Sequence, residues 1–466
     1  MKTKKSIVKS PSLLHKFPIL LFLVISIVLT SCSTEEVQQV SIDNQDLSIV
    51  EVLKSYGDET NTAARSANSK ASNSGAKPTF KTLSVALAKT GLAGTVSSNR
   101  LTVLAPSDEA FASIGLNQRN IVSELGVETL RTILLYHVVE SVVYSGNLSN
   151  GFVATLNGGF VEVNLDSGVK INDANVTIAD IKARNGVIHA IDSVLMPPMM
   201  NITELAIDSF GIDSSLVQAV LRAELQDVLA DGGPFTVFAP DQNAFDKFLA
   251  DNGFTSVDDI PVDLLTQVLL YHVVEGKVFS TDLMNDYVPT LNGAAVNVNL
   301  DSGVMIDDST VIAANIQATN GVVHVIDTVL FPPTMDLVGV ASGFDPEFSI
   351  LLQAATKAGL VDTLMNGGPY TVFAPTNDAF IALLDGLEDF DTPEDIAFLT
   401  SVLLYHVVDG RVYSSDLSNG PVPTLNGSDV NVSLDSGVFI NDAQVIIPDV
   451  QATNGVIHAI NMVLVP

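Results

Sequence analysis

Apolar residues recur at i, i+3, i+4 and i+7 in three stretches, LSVALAKTGLAGTV from Leu83, LVQAVLRAELQDVL from Leu216 and ILLQAATKAGLVDTL from Ile350. That spacing predicts an amphipathic helix in each. The second and third run into Gly-Gly-Pro at 232–234 and 367–369, a helix stop because glycine accepts positive φ and proline lacks an N–H. A short β-rich run then leads to Ala-Pro and a new helix start: LTVLAPSDEAF from Leu101, FTVFAPDQNAF from Phe235, YTVFAPTNDAF from Tyr370. The residue after the proline is Ser107, Asp241 or Thr376. These three side chains share the ability to accept a hydrogen bond from an exposed helix N–H, so N-capping, rather than ligation or nucleophilic attack, is the expected role. Pro106, Pro240 and Pro375 hold the preceding residue extended, and Phe111, Phe245 and Phe380 are expected in the core.

An apolar helix then enters LLYHVV at 134–139, 269–274 and 403–408, where the Val-Val pair turns the chain to strand. The strands VEVNL, VNVNL and VNVSL start at Val161, Val296 and Val430 and alternate with period two, the mark of one buried face. Asp-Ser-Gly at 166–168, 301–303 and 435–437 turns each into a short return, VKI, VMI or VFI. Asn-Gly closes a final hairpin in NGVIHA at 185, NGVVHV at 320 and NGVIHA at 454, which places Val187, His189 and Ile191 on one face in the first copy. The motifs keep one register, offset by 135 and then 134 residues. A period this long is that of a domain, not of a solenoid repeat. The pattern therefore predicts three α+β modules, helices early and mainly antiparallel strands late, over 78–198, 199–333 and 334–466. Pro197-Pro198 and Pro332-Pro333 mark the boundaries.

Charge narrows the partners. The chain has 22 Lys+Arg against 53 Asp+Glu, for a net charge of −31. Nothing of that sign can replace the counterions of a phosphate backbone, so nucleic acid is excluded. Its one cysteine, Cys32, allows no intrachain disulfide, and stability must come from packed cores. Cys32 follows a lysine-rich start (Lys2, Lys4, Lys5, Lys9, Lys16), an apolar run over 17–28 and Leu-Thr-Ser. This is a secretory-leader pattern with an apolar run shorter than the roughly 20 residues a spanning helix needs. Leu-Thr-Ser-Cys resembles the lipobox of bacterial lipoproteins. The resemblance implies a signal peptide over 1–31 and a lipid on Cys32 that tethers the chain to a membrane without crossing it. Ser33-Thr34-Glu35-Glu36 resembles the acidic tag that sends some lipoproteins to the outer face, which implies a surface-exposed outer-membrane location. Residues 32–77 read as a lipid-anchored flexible linker. Residues 44–56 have the spacing of a short amphipathic helix in it, and 58–78 lack apolar periodicity.

Taken together, TVFAPxxxAF, LLYHVV, a Ser/Asp-Leu segment (280–283 and 414–417), TLNG and NGVIHxID in this order resemble the fasciclin (FAS1) domain in three tandem copies. Copy one departs from the pattern: it has no Gly-Gly-Pro and carries Asn147 where the later copies carry an acid. The resemblance implies a β-wedge or sandwich of mainly antiparallel strands with a helical bundle, and a role in cell adhesion or in binding extracellular protein, glycan or a neighbouring cell surface. An accessory ligand-binding lipoprotein of a surface glycan uptake system, or a non-binding structural spacer, would carry the same modules. The chain's lack of Trp leaves little material for a sugar-stacking platform.

Outside the leader the histidines come two per module: His137 with His189, His272 with His324, His406 with His458. A pair per module invites a metal, but no third ligand, HExxH or EF-hand spacing accompanies it, and core histidines satisfied by backbone or a tyrosine hydroxyl are expected. Ser167, Ser302 and Ser436 lie in turns with no GxSxG elbow. No enzyme activity, cofactor or metal is expected. In animal relatives the Tyr-His region has been linked to integrin recognition. The resemblance would place that motif on Tyr136, His137, Tyr271, His272, Tyr405 and His406, although their apolar flanks point to burial and the chain has no Arg-Gly-Asp.

Overall fold

The computed structural model describes residues 46–56, 77–344, 346–384 and 392–466. The leader, Cys32 and the segment 57–76 lie outside them. Among the described residues no helix is long and apolar enough to cross a membrane.

In the first module the chain runs α1 (Ile49–Ser55), α2 (Lys81–Lys89), α3 (Ala93–Ser98), β1 (Leu101–Pro106), α4 (Asp108–Ser113), α5 (Ile121–Leu125) and α6 (Val127–Tyr136). It continues as β2 (Val138–Val139), β3 (Gly151–Ala154), β4 (Phe160–Asn164), β5 (Lys170–Ile171), β6 (Ala174–Ala183) and β7 (Gly186–Ile191). The strands form one seven-stranded sheet in the order β2-β1-β7-β6-β5-β4-β3, and the other two modules repeat that order. This is the α+β module the pattern predicted, with one addition. The early strand β1 pairs in parallel with the last strand, Leu101 with Gly186 through Pro106 with Ile191, so it lies in the sheet's interior. At that seam a Cβ on Gly186 would sit 1.9 Å from Leu101 O, and 2.4 and 2.2 Å from the corresponding carbonyls at Gly321 and Gly455. The glycine of each Asn-Gly, which opens the last strand just after the turn, is therefore required by a close backbone approach.

All six residues of β7 are buried. Ile188 and Ala190 face a helical core with Phe80, Leu83, Phe111, Leu130 and Leu134. On the other face, Ile191 joins Leu104, Tyr136, Val161, Val163 and Ile171 under the antiparallel hairpins. Two covered faces explain why this strand reads as a continuous apolar run.

The predicted leading helix is two helices in each copy, broken where the backbone takes positive φ at Gly91 (73°), Glu224 (57°) and Gly359 (69°). The caps are as expected: Ser107 Oγ accepts from Ala110 N at 3.1 Å, Asp241 Oδ1 from Ala244 N at 2.7 Å and Thr376 Oγ1 from Ala379 N at 3.3 Å.

The first module begins earlier than residue 78. Residues 46–56, expected within the flexible linker, are packed into it: Ile49, Val50, Val52 and Leu53 of α1 are buried, and Ser48 and Glu51 close a capping box. Ile49 N donates to Asn185 Oδ1 at 2.9 Å, as Ile202 N does to Asn320 Oδ1 and Leu337 N to Asn454 Oδ1 in the later copies. A seven-residue helix is too short to persist alone. Four buried side chains, each contributing about 1.5–3 kcal/mol, hold it.

Candidate functional site

The two histidines of each module play distinct parts, and hydrogen-bond chemistry assigns their tautomers. His137 follows α6, with Nδ1 2.8 Å from Ile133 O and Nε2 3.0 Å from Leu195 N. A carbonyl only accepts and an amide N–H only donates, so the proton sits on Nδ1. His272 repeats this with Val268 O (2.7 Å) and Leu330 N (3.0 Å), and His406 with Val402 O (2.8 Å) and Leu464 N (2.9 Å). Burial pushes all three imidazoles down to about 4, so each ties the end of its helix to the module's tail as a neutral ring.

The second histidine uses the other tautomer. Nε2 of His189, His324 and His458 donates to the carbonyls of Val143, Val278 and Val412 at 2.9, 2.9 and 2.8 Å. Nδ1 accepts from the main-chain N–H of Asp180, Asn315 and Asp449 at 3.3, 3.3 and 3.2 Å. Burial lowers His324 and His458, in the latter against the pull of the Asp449 carboxylate 3.8 Å away. Asp180, Asn315 and Asp449 sit at φ of 59°, 64° and 60°, and Oδ1 of each accepts from the N–H of Ser145, Ser280 or Ser414 at 2.8, 2.8 and 2.7 Å. Between the anchored carbonyl and the anchored serine lies one aromatic residue per module: Tyr144, Phe279, Tyr413.

Two of those rings are the keys of the joints between modules. Phe279 stacks on Phe152 of the first module with centroids 3.9 Å apart and planes at 7°, and meets Phe160 edge-on at 5.0 Å. Tyr413 stacks on Tyr287 of the second module at 4.6 Å and 6°. Beside each stack a glutamine reads main chain. Gln317 Nε2 donates to Phe160 O at 2.9 Å and its Oε1 accepts from Phe160 N at 3.2 Å. Gln451 does the same to Ala295 at 2.7 and 3.1 Å. These backbone groups are open because β5 pairs only with Val163 and Asn164 and stops short of Phe160. The glutamine amide takes the place of the missing strand.

The Tyr-His motif lies directly beneath this acceptor face. Tyr136 OH donates to Phe160 O at 2.6 Å, Tyr271 OH lies 2.8 Å from Ala295 O, and Tyr405 OH donates to Asp429 O at 2.8 Å. Tyr136, Tyr271, Tyr405, His137, His272 and His406 are all buried, between 1 and 5% exposed. Tyr136 and Tyr271 lie beneath the two joints and Tyr405 beneath the open face of the third module, and none of the six is presented on the surface.

Catalytic geometry is not assembled around these groups. Both nitrogens of every module histidine are engaged with main chain, while Ser167, Ser302 and Ser436 sit at exposed turn tips. Among the described residues no group of three His, Cys, Asp or Glu side chains is placed to hold a metal ion. An open cleft of about 380 Å³ beside the second joint is lined by Tyr271, Asp307, Ser309, Phe331 and Gln451. Its serine hydroxyl is engaged with Asp327 Oδ1 and Thr328 O, both at 3.1 Å.

The joint residues Phe152, Phe160, Phe279, Gln317, Tyr287, Tyr413 and Gln451 were not singled out by motif reading. The available signal was an aromatic at the same place in all copies (144, 279, 413) and Gln shared by two of three at 182, 317 and 451.

The fasciclin domain family matches residues 78–197, 213–332 and 346–466. Transforming growth factor-beta-induced protein ig-h3 of Sus scrofa is 33% identical over 398 residues, covering 83% of this chain and 56% of that protein. Periostin of Homo sapiens is 28% identical over 379 residues, 78% of this chain and 43% of its own length. The chain thus spans about half the length of these curated relatives. Protein sll1483 of Synechocystis is 39% identical over 135 residues, 29% of this chain and 74% of that protein. Among solved structures, a pair of FAS1 domains from the insect cell adhesion molecule fasciclin I covers 54% of this chain and 96% of that one, at 23% identity and a TM-score of 0.25.

Proposed function

Because the chain belongs to the fasciclin domain family, with three copies in tandem, we propose that it acts by binding, as an adhesion-type protein on the cell surface. The observation that carries this reading is the pair of joints. They bury Phe279 and Tyr413 to 1 and 3% exposure and lock amides onto main chain, so the modules form a continuous string rather than loose beads. A string of like modules holds weak sites at set spacing, and avidity grows when several engage one partner surface. The partners in this reading are extracellular protein, glycan or a neighbouring cell surface, engaged by exposed faces rather than by the buried Tyr-His pairs.

The anchor belongs to the same proposal. Lipid on Cys32 tethers the string to the outer membrane through the leader pattern over 1–31. Replacing Cys32→Ser is expected to move the protein from the membrane fraction to the medium, and retention in the membrane would refute the anchor. Adhesion itself is tested with whole cells making either the full chain or a chain ending at residue 45, offered arrayed matrix proteins, glycans and sister cells. Loss of attachment to one class supports adhesion and identifies the partner class. Equal attachment by both, with the protein confirmed at the surface, would overturn it in favour of a spacer.

A further inference from the structure

Each joint has a donor side and an acceptor side, and among the described residues one of each is left unused. The donor side is the pinned aromatic with the amide of the long strand: Phe279 with Gln317, Tyr413 with Gln451. In the first module the same positions hold Tyr144, 37% exposed, and Lys182, also exposed. This side is already in the joint conformation, since His189 holds Val143 O and Asp180 holds Ser145 N as their counterparts do in the later modules. The acceptor side is the ring on the edge strand with the open backbone of the strand beside it: Phe152 with Phe160, Tyr287 with Ala295. In the third module those positions hold Pro421 and Asp429, both exposed. Tyr405 supports Asp429 O from below at 2.8 Å as Tyr136 supports Phe160 O.

The two open sides differ in charge. Residues 78–198 carry 8 Lys+Arg and 10 Asp+Glu, net −2, whereas 334–466 carry 2 and 17, net −15. Where the internal joints place a neutral amide against backbone, the open ends place an ammonium on the donor and a carboxylate on the acceptor.

We propose that a second copy of this chain docks the open donor side of its first module, through Tyr144 and Lys182, on the open acceptor side of the third module, at Pro421 and Asp429. In the docked pair Tyr144 lies on the Pro421 ring as Tyr413 lies on Tyr287. Lys182 reaches both the Asp429 carbonyl that Gln451 reaches at Ala295 and the Asp429 carboxylate. The contact is heterologous and leaves the same two sides free at its ends, so copies add head to tail. This inference rests on the joint geometry and stands whether or not the string binds other surfaces.

The test is self-association of full chain in detergent, followed by energy transfer between separately labelled batches. Association is expected to weaken with salt. Lys182→Glu alone and Asp429→Lys alone are each expected to weaken it at least about tenfold, and the two reversals combined in one chain to restore it to within about threefold, because the reversed charges then meet. Both positions are exposed, and matching melting curves will show that the fold is intact. A second variant, Lys182→Gln with Asp429→Ala, rebuilds the internal joint at both ends. If it associates while the unaltered chain stays monomeric, the charged residues are end caps of the kind that stop repeat arrays and the proposal fails. It also fails if the unaltered chain associates but the charge reversals leave association unchanged.

Discussion

The joint between the first and second modules and the joint between the second and third use the same glutamine-to-backbone clasp and different rings. The first stacks Phe279 on Phe152 and wedges it against Phe160, with Lys277 Nζ 6.0 Å from the Phe160 ring centre. The second stacks Tyr413 on Tyr287 over Ala295, and Tyr413 OH donates to Gln451 Oε1 at 2.9 Å. Shape is conserved at the clasp, where backbone must be paired, and freedom is left at the ring, where any flat apolar face will do. The first joint is thus the more apolar and the second the more polar.

The sharpest way to break that comparison is to remove the rings. Phe279→Ala is expected to destabilise its joint by about 3–5 kcal/mol, and Tyr413→Ala by somewhat less, because Phe279 meets two rings and Tyr413 one. Urea unfolding together with small-angle scattering, which sees the string loosen, measures both. Equal losses at the two joints would show that the second aromatic contact of Phe279 adds nothing.

Acid acts on all three modules through the buried histidines. His137, His272 and His406 have folded values of about 4 against an ordinary 6.5. Between these pH values the unfolded chain binds more protons than the folded one. The stability from keeping these rings neutral is therefore complete above about pH 6.5 and is lost as pH falls toward 4, by up to about 3 kcal/mol per histidine. Urea midpoints at pH 7 and pH 4.5 test this, and His272→Gln is expected to flatten the slope by about one proton.

Smaller effects separate the clasps. Gln317→Leu and Gln451→Leu each remove two hydrogen bonds and leave a main-chain N–H without its partner, an expected loss of about 1–3 kcal/mol, greater at 451, where Tyr413 OH also loses its acceptor. Tyr413→Phe removes that last bond alone and is expected to cost about 1 kcal/mol, whereas Phe279→Leu keeps bulk and loses only stacking. A double-mutant cycle between positions 413 and 451 isolates the coupling; a value near zero would mean the hydroxyl does not join the two. Lys277→Met is expected to change the first joint by about 0.5–1 kcal/mol, readable as a small shift in urea midpoint.

The fold was legible in the sequence wherever partners are near in the chain. Ser107, Asp241 and Thr376 cap helices three residues away, and Asn185 and its copies close two-residue hairpins between β6 and β7 and their counterparts. The burial of the Tyr-His pairs was legible for the same reason, from their apolar flanks. The broken leading helices were not, because Glu224 reads as a good helix former and takes its positive φ in the turn between the helices Ser215–Arg222 and Gln226–Asp231.

By itself, then, the sequence determined three modules, their helix starts, their turns and their buried histidines, since each follows from periodicity and from side chains that act within a few residues. Tertiary structure decided the rest. α1 belongs to the first module because Ile49 meets Asn185, 136 residues on, and four apolar side chains find a core that exists only after the sheet has formed. β1 lies beside β7 because both of its faces can be covered there. Gln317 and Gln451 are surface-type residues in their own strands and become structural only when another module brings an unpaired backbone within 3.2 Å. A side chain's polarity fixes what it can bond; only the assembled chain supplies the partner.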